Sequence, residues 1–208
     1  MEDILQVYQR PYDPLYPLVC FDESSKQLLA EIKTALPIKP GEVARYDYEY
    51  ARQGVCNLFL FFEPLRAWRH LSVTQQRTKI DFAQCMKDLV DRWYPDARKI
   101  QVVMDNLNTH RPAALYEAFR AAQARRVLDR LEFHYTPKHG SWLNMAEIEF
   151  SVLSRQCLDR RIPDKATLSA QVAAWEMHRN ESNATVNWRF TTADARIKLR
   201  KLYPSFDA

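Results

Sequence analysis

The sequence predicts a mixed α/β fold: one sheet with helices on both faces. Three observations carry that reading. Short apolar runs at 17–22, 55–62, 100–104 and 131–135 are strand-length rather than helix-length. The early runs follow one another across turn residues, as in a meander. The later ones are separated by segments with helical spacing, as in parallel crossovers.

The elements follow in order. Residues 1–17, rich in Tyr and Pro, read as a lead-in. Leu18-Val19-Cys20-Phe21 is a buried strand that should end at Asp22. Lys39-Pro40-Gly41 marks a turn, and the alternation from Arg45 to Tyr50 suits a half-exposed strand. Val55 to Phe62 is the most apolar run, and Trp68 to Val73 is its expected hairpin partner. Thr78, with Asp81 three residues on, reads as an N-cap. The helix behind it carries Phe82, Met86, Leu89 and Trp93 on one stripe, and Pro95 closes it.

Ile100 to Met104 is another buried strand, running into Asp105. Pro112 fits the first turn of a helix through Tyr116 and Phe119, and a second helix covers Ala121 to Asp129. Leu131 to Tyr135 is a strand. After the Pro137–Gly140 break a helix should run from Leu143 to Arg160. Asp164 caps the next one, through Met177, and Thr191 or Thr192 caps a last one towards Tyr203.

With 208 residues, one domain is expected: a core at 17–162 followed by C-terminal helices at 163–208. Only three glycines occur, and neither a GxGxxG nor a GxxxxGK[ST] phosphate cradle is present. No apolar run approaches the roughly 20 residues needed to span a bilayer. Met1-Glu2-Asp3 lacks the basic start of a secretory signal. Cys20, Cys56, Cys85 and Cys157 are scattered in apolar settings and read as buried reduced thiols, which places the protein in the cytoplasm. His134, His139 and Cys157 match no zinc signature.

The net charge is +4 and the pI about 8.9. The distribution says more. Arg155, Arg160 and Arg161, and a tail holding Arg189, Arg196, Lys198, Arg200 and Lys201 against Asp194, suggest a surface that grips a phosphate backbone.

The chemistry rests on acids. Asp22 and Asp105 each follow an apolar strand. If the strands are neighbours, both carboxylates reach one sheet edge, where their repulsion calls for a cation between them. The helix after Gly140 offers Glu147 and Glu149, which flank its apolar stripe (Leu143, Ala146, Phe150, Leu153, Cys157) on opposite sides. At about 100° per residue only one can face the sheet edge, and periodicity does not choose. Ile148 and Val152 lie off the stripe, suggesting a helix buried on more than one side. Three such carboxylates are equipment for a divalent-metal centre that cuts and joins nucleic-acid strands.

Several segments together resemble the catalytic domain of the bacterial insertion-sequence branch of the Tc/mariner transposase superfamily. They are Val19-Cys20-Phe21-Asp22-Glu23, Met104-Asp105-Asn106-Leu107-Asn108-Thr109-His110, His139-Gly140-Ser141-Trp142-Leu143-Asn144-Met145-Ala146-Glu147, and Trp188 to Arg196. The resemblance implies an RNase H-like fold and an acid triad. It assigns the third acid to Glu147, three residues after Asn144, and leaves Glu149 structural. It implies two Mg²⁺ ions, with Mn²⁺ able to substitute: Asp22 bridges them, Asp105 holds one and Glu147 the other.

The implied activity is metal-dependent cleavage and strand transfer of double-stranded DNA, as cut-and-paste transposition into TA targets. The implied setting is a homodimer on paired ends, in the cytoplasm and nucleoid of a bacterium. Asn106, His110, Lys138, His139, Trp142, Arg155, Arg196, Lys198 and Arg200 are the candidate DNA contacts, Trp142 as a stacking surface for an unpaired base. Such transposases carry an N-terminal helix-turn-helix region, for which there is no room before Asp22, so this chain is expected to lack it. Two other readings stay open: another RNase H-like nuclease, and a catalytically silent DNA-binding remnant.

Overall fold

A computed structural model describes residues 1–33, 40–41 and 48–203. Its sheet has the order β3-β2-β1-β4-β5, built from β1 (Leu18–Glu31), β2 (Tyr50–Glu63), β3 (Trp68–Thr74), β4 (Ile100–Met104) and β5 (Leu131–Tyr135). The first three strands pair antiparallel. The junctions β1–β4 and β4–β5 are parallel. The parallel strands have a helical crossover between them, as that pairing requires.

Strand parity sorts the apolar side chains to two faces. Leu18, Cys20, Leu58, Leu60, Phe62 and Val103 join one core with α1 (Glu2–Tyr8), α5 (Met145–Leu153), α6 (Lys165–Glu181) and α7 (Thr192–Lys198). Val19, Phe21, Phe59, Phe61, Val102 and Met104 join the other with α2 (Lys79–Asp88), α3 (Ala113–Ala118) and α4 (Ala121–Leu128). The mixed sheet between two helical layers is therefore as expected.

Several local expectations hold for the reasons given. Thr78 and Asp81 form a capping box at α2. Asp164 accepts from the Thr167 amide at the start of α6. Thr191, not Thr192, caps α7, in a second capping box with Asp194. All four cysteines are free and buried.

Four expectations are corrected. Residues 2–8 are a helix, α1, whose Ile4, Leu5, Val7 and Tyr8 are buried. β1 does not stop at Asp22. It runs nine residues further, to Glu31, because β2 extends with it as a long two-stranded ribbon. The single helix expected from Leu143 to Arg160 is three pieces: a 3₁₀ turn at Ser141–Leu143, α5, and a π turn at Ser154–Leu158. Ile148 is 38% exposed, so α5 buries one side only. The strand expected at Arg45–Tyr50 lies outside the described residues, except that Tyr50 opens β2. Among the described residues no helix is long and apolar enough to cross a membrane.

Candidate active site

Register brings the first two acids together. Cys20 pairs with Val103 across the parallel β1–β4 junction. Asp22 and Asp105 each lie two residues beyond that pair, on the same side of the sheet. α5 packs on this face. Asn144 joins it to the sheet: its side-chain oxygen caps α5 by accepting from the Ala146 amide (3.1 Å). Its Nδ2 donates to the Phe21 carbonyl (2.9 Å) and reaches Asp22 Oδ2 at 3.4 Å. Glu147 follows in the first turn of α5, where a carboxylate is favoured by the helix dipole. Asp22, Asp105 and Glu147 thus line one open cleft of about 490 Å³, together with Glu23 and Arg77.

The two candidate acids of α5 separate cleanly. Glu147 is exposed beside the cleft. Glu149 is fully buried, held by Arg69 at 2.9 Å and by two bonds from Arg179 at 3.0 and 3.1 Å. That network ties α5 to β3 and α6.

The electrostatics of the cleft are strained. Burial, then the charges of Asp105, Glu147 and Glu23, push the Asp22 carboxyl up to about 7, against one amide bond from Glu23 that lowers it. His110 answers part of the negative charge. It is fully buried and sits between two carboxylates, 2.5 Å from Asp105 Oδ1 and 2.5 Å from Glu23 Oε2. Both partners only accept, so both ring nitrogens donate and the ring is an imidazolium. Burial alone would lower its pKa. The bonds to Asp105 and Glu23 override that and raise it to about 9. Arg77 approaches Glu23 from outside, at 3.7 Å.

Glu23 is the residue that sequence reasoning gave no role. Alternation sends it to the opposite face from Asp22, where His110 packs against Phe21 and Phe82. His110 was expected to touch a DNA phosphate, to orient a ligand or to pack at a helix start. Its burial removes it from solvent and makes it the orienting partner of Asp105.

The other candidate contacts are spread out. Asn106, Lys138 and His139 line a second cleft of about 490 Å³, which Asp105 also lines. The loop that carries Lys138 is tight: a Cβ on Gly140 would stand 2.6 Å from the Pro137 ring. Trp142 is 43% exposed. Arg155, Lys198 and Arg200 are exposed, and Lys198 also pairs with Asp194 at 3.7 Å. Arg196 is exposed too, but it forks onto Glu2 with two 2.8 Å bonds, so much of its charge is spent on holding α1 to α7.

An all-oxygen set of carboxylates suits a hard divalent cation such as Mg²⁺ or Mn²⁺. A cation would also relieve the repulsion that lifts Asp22. The donors fit in kind and share a cleft. They are not drawn tightly together: among the described residues no three His, Cys, Asp or Glu side chains are gathered to hold an ion.

Comparison with known proteins agrees with this architecture. The chain is similar to the Mos1 strand transfer complex (TM-score 0.57, 14% identity, 85% of this chain and 51% of that one). It is similar to the Mos1 transposase paired-end complex with left transposon end (0.58, 15%, 88% and 55%). It is also similar to the Mos1 mariner paired-end complex with Mn (0.58, 15%, 88% and 54%). At such identities the likeness concerns the fold, which is that of their RNase H-like catalytic domain, and the chain spans little more than half of their length. No curated protein matches its sequence. The family model described as DDE superfamily endonuclease matches residues 17–169, from the start of β1 into α6 and through all three acids of the cleft, and the chain belongs to that family.

Proposed function

We propose that this chain is the catalytic domain of a transposase, cleaving DNA strands and joining the freed 3′ ends to target DNA. The observation that carries the reading is the single cleft shared by Asp22, Asp105 and Glu147 in a chain of the DDE superfamily. Asp22, Asp105 and Glu147 would hold two divalent cations, Mg²⁺ or Mn²⁺. When bound, such ions activate a water or 3′-OH nucleophile and stabilise charge on the phosphate and leaving oxygen.

The chain's own residues do the rest. β1 and β4 fix two carboxylates at one level of the sheet. Asn144 holds the start of α5, and with it Glu147, against β1. His110 grips one oxygen of Asp105 and fixes its rotamer. Arg77 balances Glu23 at the rim. Lys138 and the exposed Arg155 and Arg200 supply charge for the DNA backbone.

Residues 17–162 are the catalytic core in this reading and 163–208 its C-terminal helices. Action as a homodimer on paired ends, insertion at TA dinucleotides and a place beside the nucleoid belong to the same proposal. The relatives' paired-end complexes with Mn and with Mg support the pairing and the metal.

The test is a strand-transfer assay with pre-cut DNA ends in Mg²⁺ or Mn²⁺. Joined products that vanish in Asp105→Ala support the proposal. Metal-dependent cleavage without joining would make the chain another RNase H-like nuclease. DNA binding with neither activity would make it a silent remnant.

A further inference from the structure

Trp142 sits on a platform. Its indole stacks on Trp188, with centroids 6.4 Å apart and planes 15° from parallel, and meets Phe190 edge-on at 5.6 Å. Trp188 is itself fixed by Tyr8 at 5.1 Å and by a bond from its Nε1 to the Phe190 carbonyl (2.8 Å). Tyr8 donates to the carbonyl of Leu143, the next residue along (2.6 Å). The 188–190 segment therefore backs the ring directly and Tyr8 backs that segment, yet 43% of Trp142 stays exposed.

The open side of Trp142 walls a nook of about 260 Å³ with Lys138, His139 and Leu202. Lys138 and His139 also line the cleft that has Asp105 and Asn106 on its other wall. Asp105 in turn lines the acid cleft. Lys138 and His139 thus stand between the cleft that Asp105 lines and the nook beside the Trp142 ring. Phosphates are complementary to Lys138, and a nucleobase to the Trp142 face. A base inside a duplex has both faces covered by its neighbours. The base that reaches Trp142 must therefore be unpaired or belong to the last pair of a duplex end.

The geometry points to a subsite for one unpaired nucleotide of the DNA strand next to the cleaved phosphate: its base on Trp142, its phosphate on Lys138. The inference rests on DNA being the substrate, as proposed above, and selects DNA with a frayed or single-stranded end over fully paired duplex.

The experiment uses a duplex with a short single-stranded overhang carrying 2-aminopurine, whose fluorescence is quenched on stacking. Binding is measured in EDTA, so no cleavage chemistry is involved. The wild-type protein should quench the overhang probe and leave the same base buried in a duplex unchanged. Trp142→Leu should weaken overhang binding about 5- to 160-fold, the range for loss of one base–aromatic stack, with little change for blunt duplex. Trp142→Phe should keep most of it.

Absence of quenching by the wild type overturns the inference whether or not any variant folds. So does an equal loss of overhang and blunt-duplex binding in a folded Trp142→Leu protein. Quenching absent while Asp105-dependent joining persists sinks this subsite alone. Quenching present without any cleavage or joining sinks the transposase reading alone.

Discussion

Asp22→Asn should stabilise the metal-free protein while ending its activity. The folded state holds the Asp22 carboxyl at about 7, against 3.8 for an ordinary aspartate, chiefly through burial and then through the charges of Asp105, Glu147 and Glu23. The sign follows from proton linkage. Between pH ~4 and ~7 the folded state binds more protons at this site than the unfolded chain, so wild-type stability falls as pH rises through that window. The penalty is absent below it and complete above it.

At ~1.4 kcal/mol per unit, the ceiling is on the order of 4 kcal/mol. Asp22 is partly open to the cleft, and solvent screening brings a realistic figure to ~1–3 kcal/mol. Asn keeps an oxygen to accept the 2.8 Å bond from the Glu23 amide and gives up only the long 3.4 Å contact from Asn144 Nδ2. In a chain of this size the gain raises Tm by roughly 2–12 °C. Urea unfolding of both proteins in EDTA, at pH 8 and again near pH 4, measures it. The gain should be present at pH 8 and shrink towards zero at pH 4. Adding Mn²⁺ at pH 8 should stabilise wild type far more than the variant. An Asp22→Asn protein no more stable than wild type at pH 8 would refute the reasoning.

Three further predictions rest on neighbouring residues. Glu147→Gln should abolish joining with Tm unchanged, whereas Glu149→Gln should cost ~3–5 kcal/mol of stability by stranding the buried Arg69; calorimetry beside the joining assay separates them, and the reverse pattern would exchange their roles. His110 has a raised pKa of about 9, so its contribution is complete below pH ~6.5 and lost as pH rises through 9; His110→Asn should remove the stability slope between those pH values, and an unchanged slope would mean that the imidazolium does not bridge Glu23 and Asp105. Asn144→Ala should cost ~2–4 kcal/mol, from a lost helix cap and a buried Phe21 carbonyl left without its donor; joining should fall even where the protein is fully folded, and full activity would show that Glu147 does not depend on the cap.

The sheet and most of its helices were legible because their signals are local. β4 is five buried residues between breakers, and Thr78-to-Asp81 is a box that closes within one turn. α1 was not legible for the opposite reason. Its apolar spacing at Ile4, Leu5, Val7 and Tyr8 is present, but seven residues are too few to hold a helix without tertiary support. That support comes from residues 131 to 196: Asp3 accepts from His134 at 2.7 Å, Tyr8 donates to Leu143, and Glu2 receives Arg196. The extension of β1 past Asp22 was hidden likewise, because Ser24 to Gln27 is polar and is held in a strand by pairing with β2.

At the site, residue types were readable and partnerships were not. Glu147 and Glu149 differ by what stands opposite them: an open cleft in one case, Arg69 and Arg179 in the other. No periodicity within 143–160 contains that information. Glu23 gained its role only when the fold brought His110 to the other face of β1.

The same comparison explains why this acid cleft can exist without undoing the fold. Each carboxylate is set by a scaffold whose stability does not depend on it: a central strand for Asp22, the end of β4 for Asp105, a capped helix for Glu147. Two buried cations take up charge nearby without entering the cleft between the acids, His110 against Glu23 and Asp105, and Arg69 against Glu149. What remains uncompensated is concentrated on Asp22, the group most deeply placed of the three. A proton relieves it at low pH, and a divalent cation would do so more strongly at neutral pH, because it attracts all three carboxylates at once. Metal binding to this cleft should therefore release a proton near neutrality and draw the three side chains inward from their separated positions, so that ion uptake, proton release and assembly of the active geometry are one linked event.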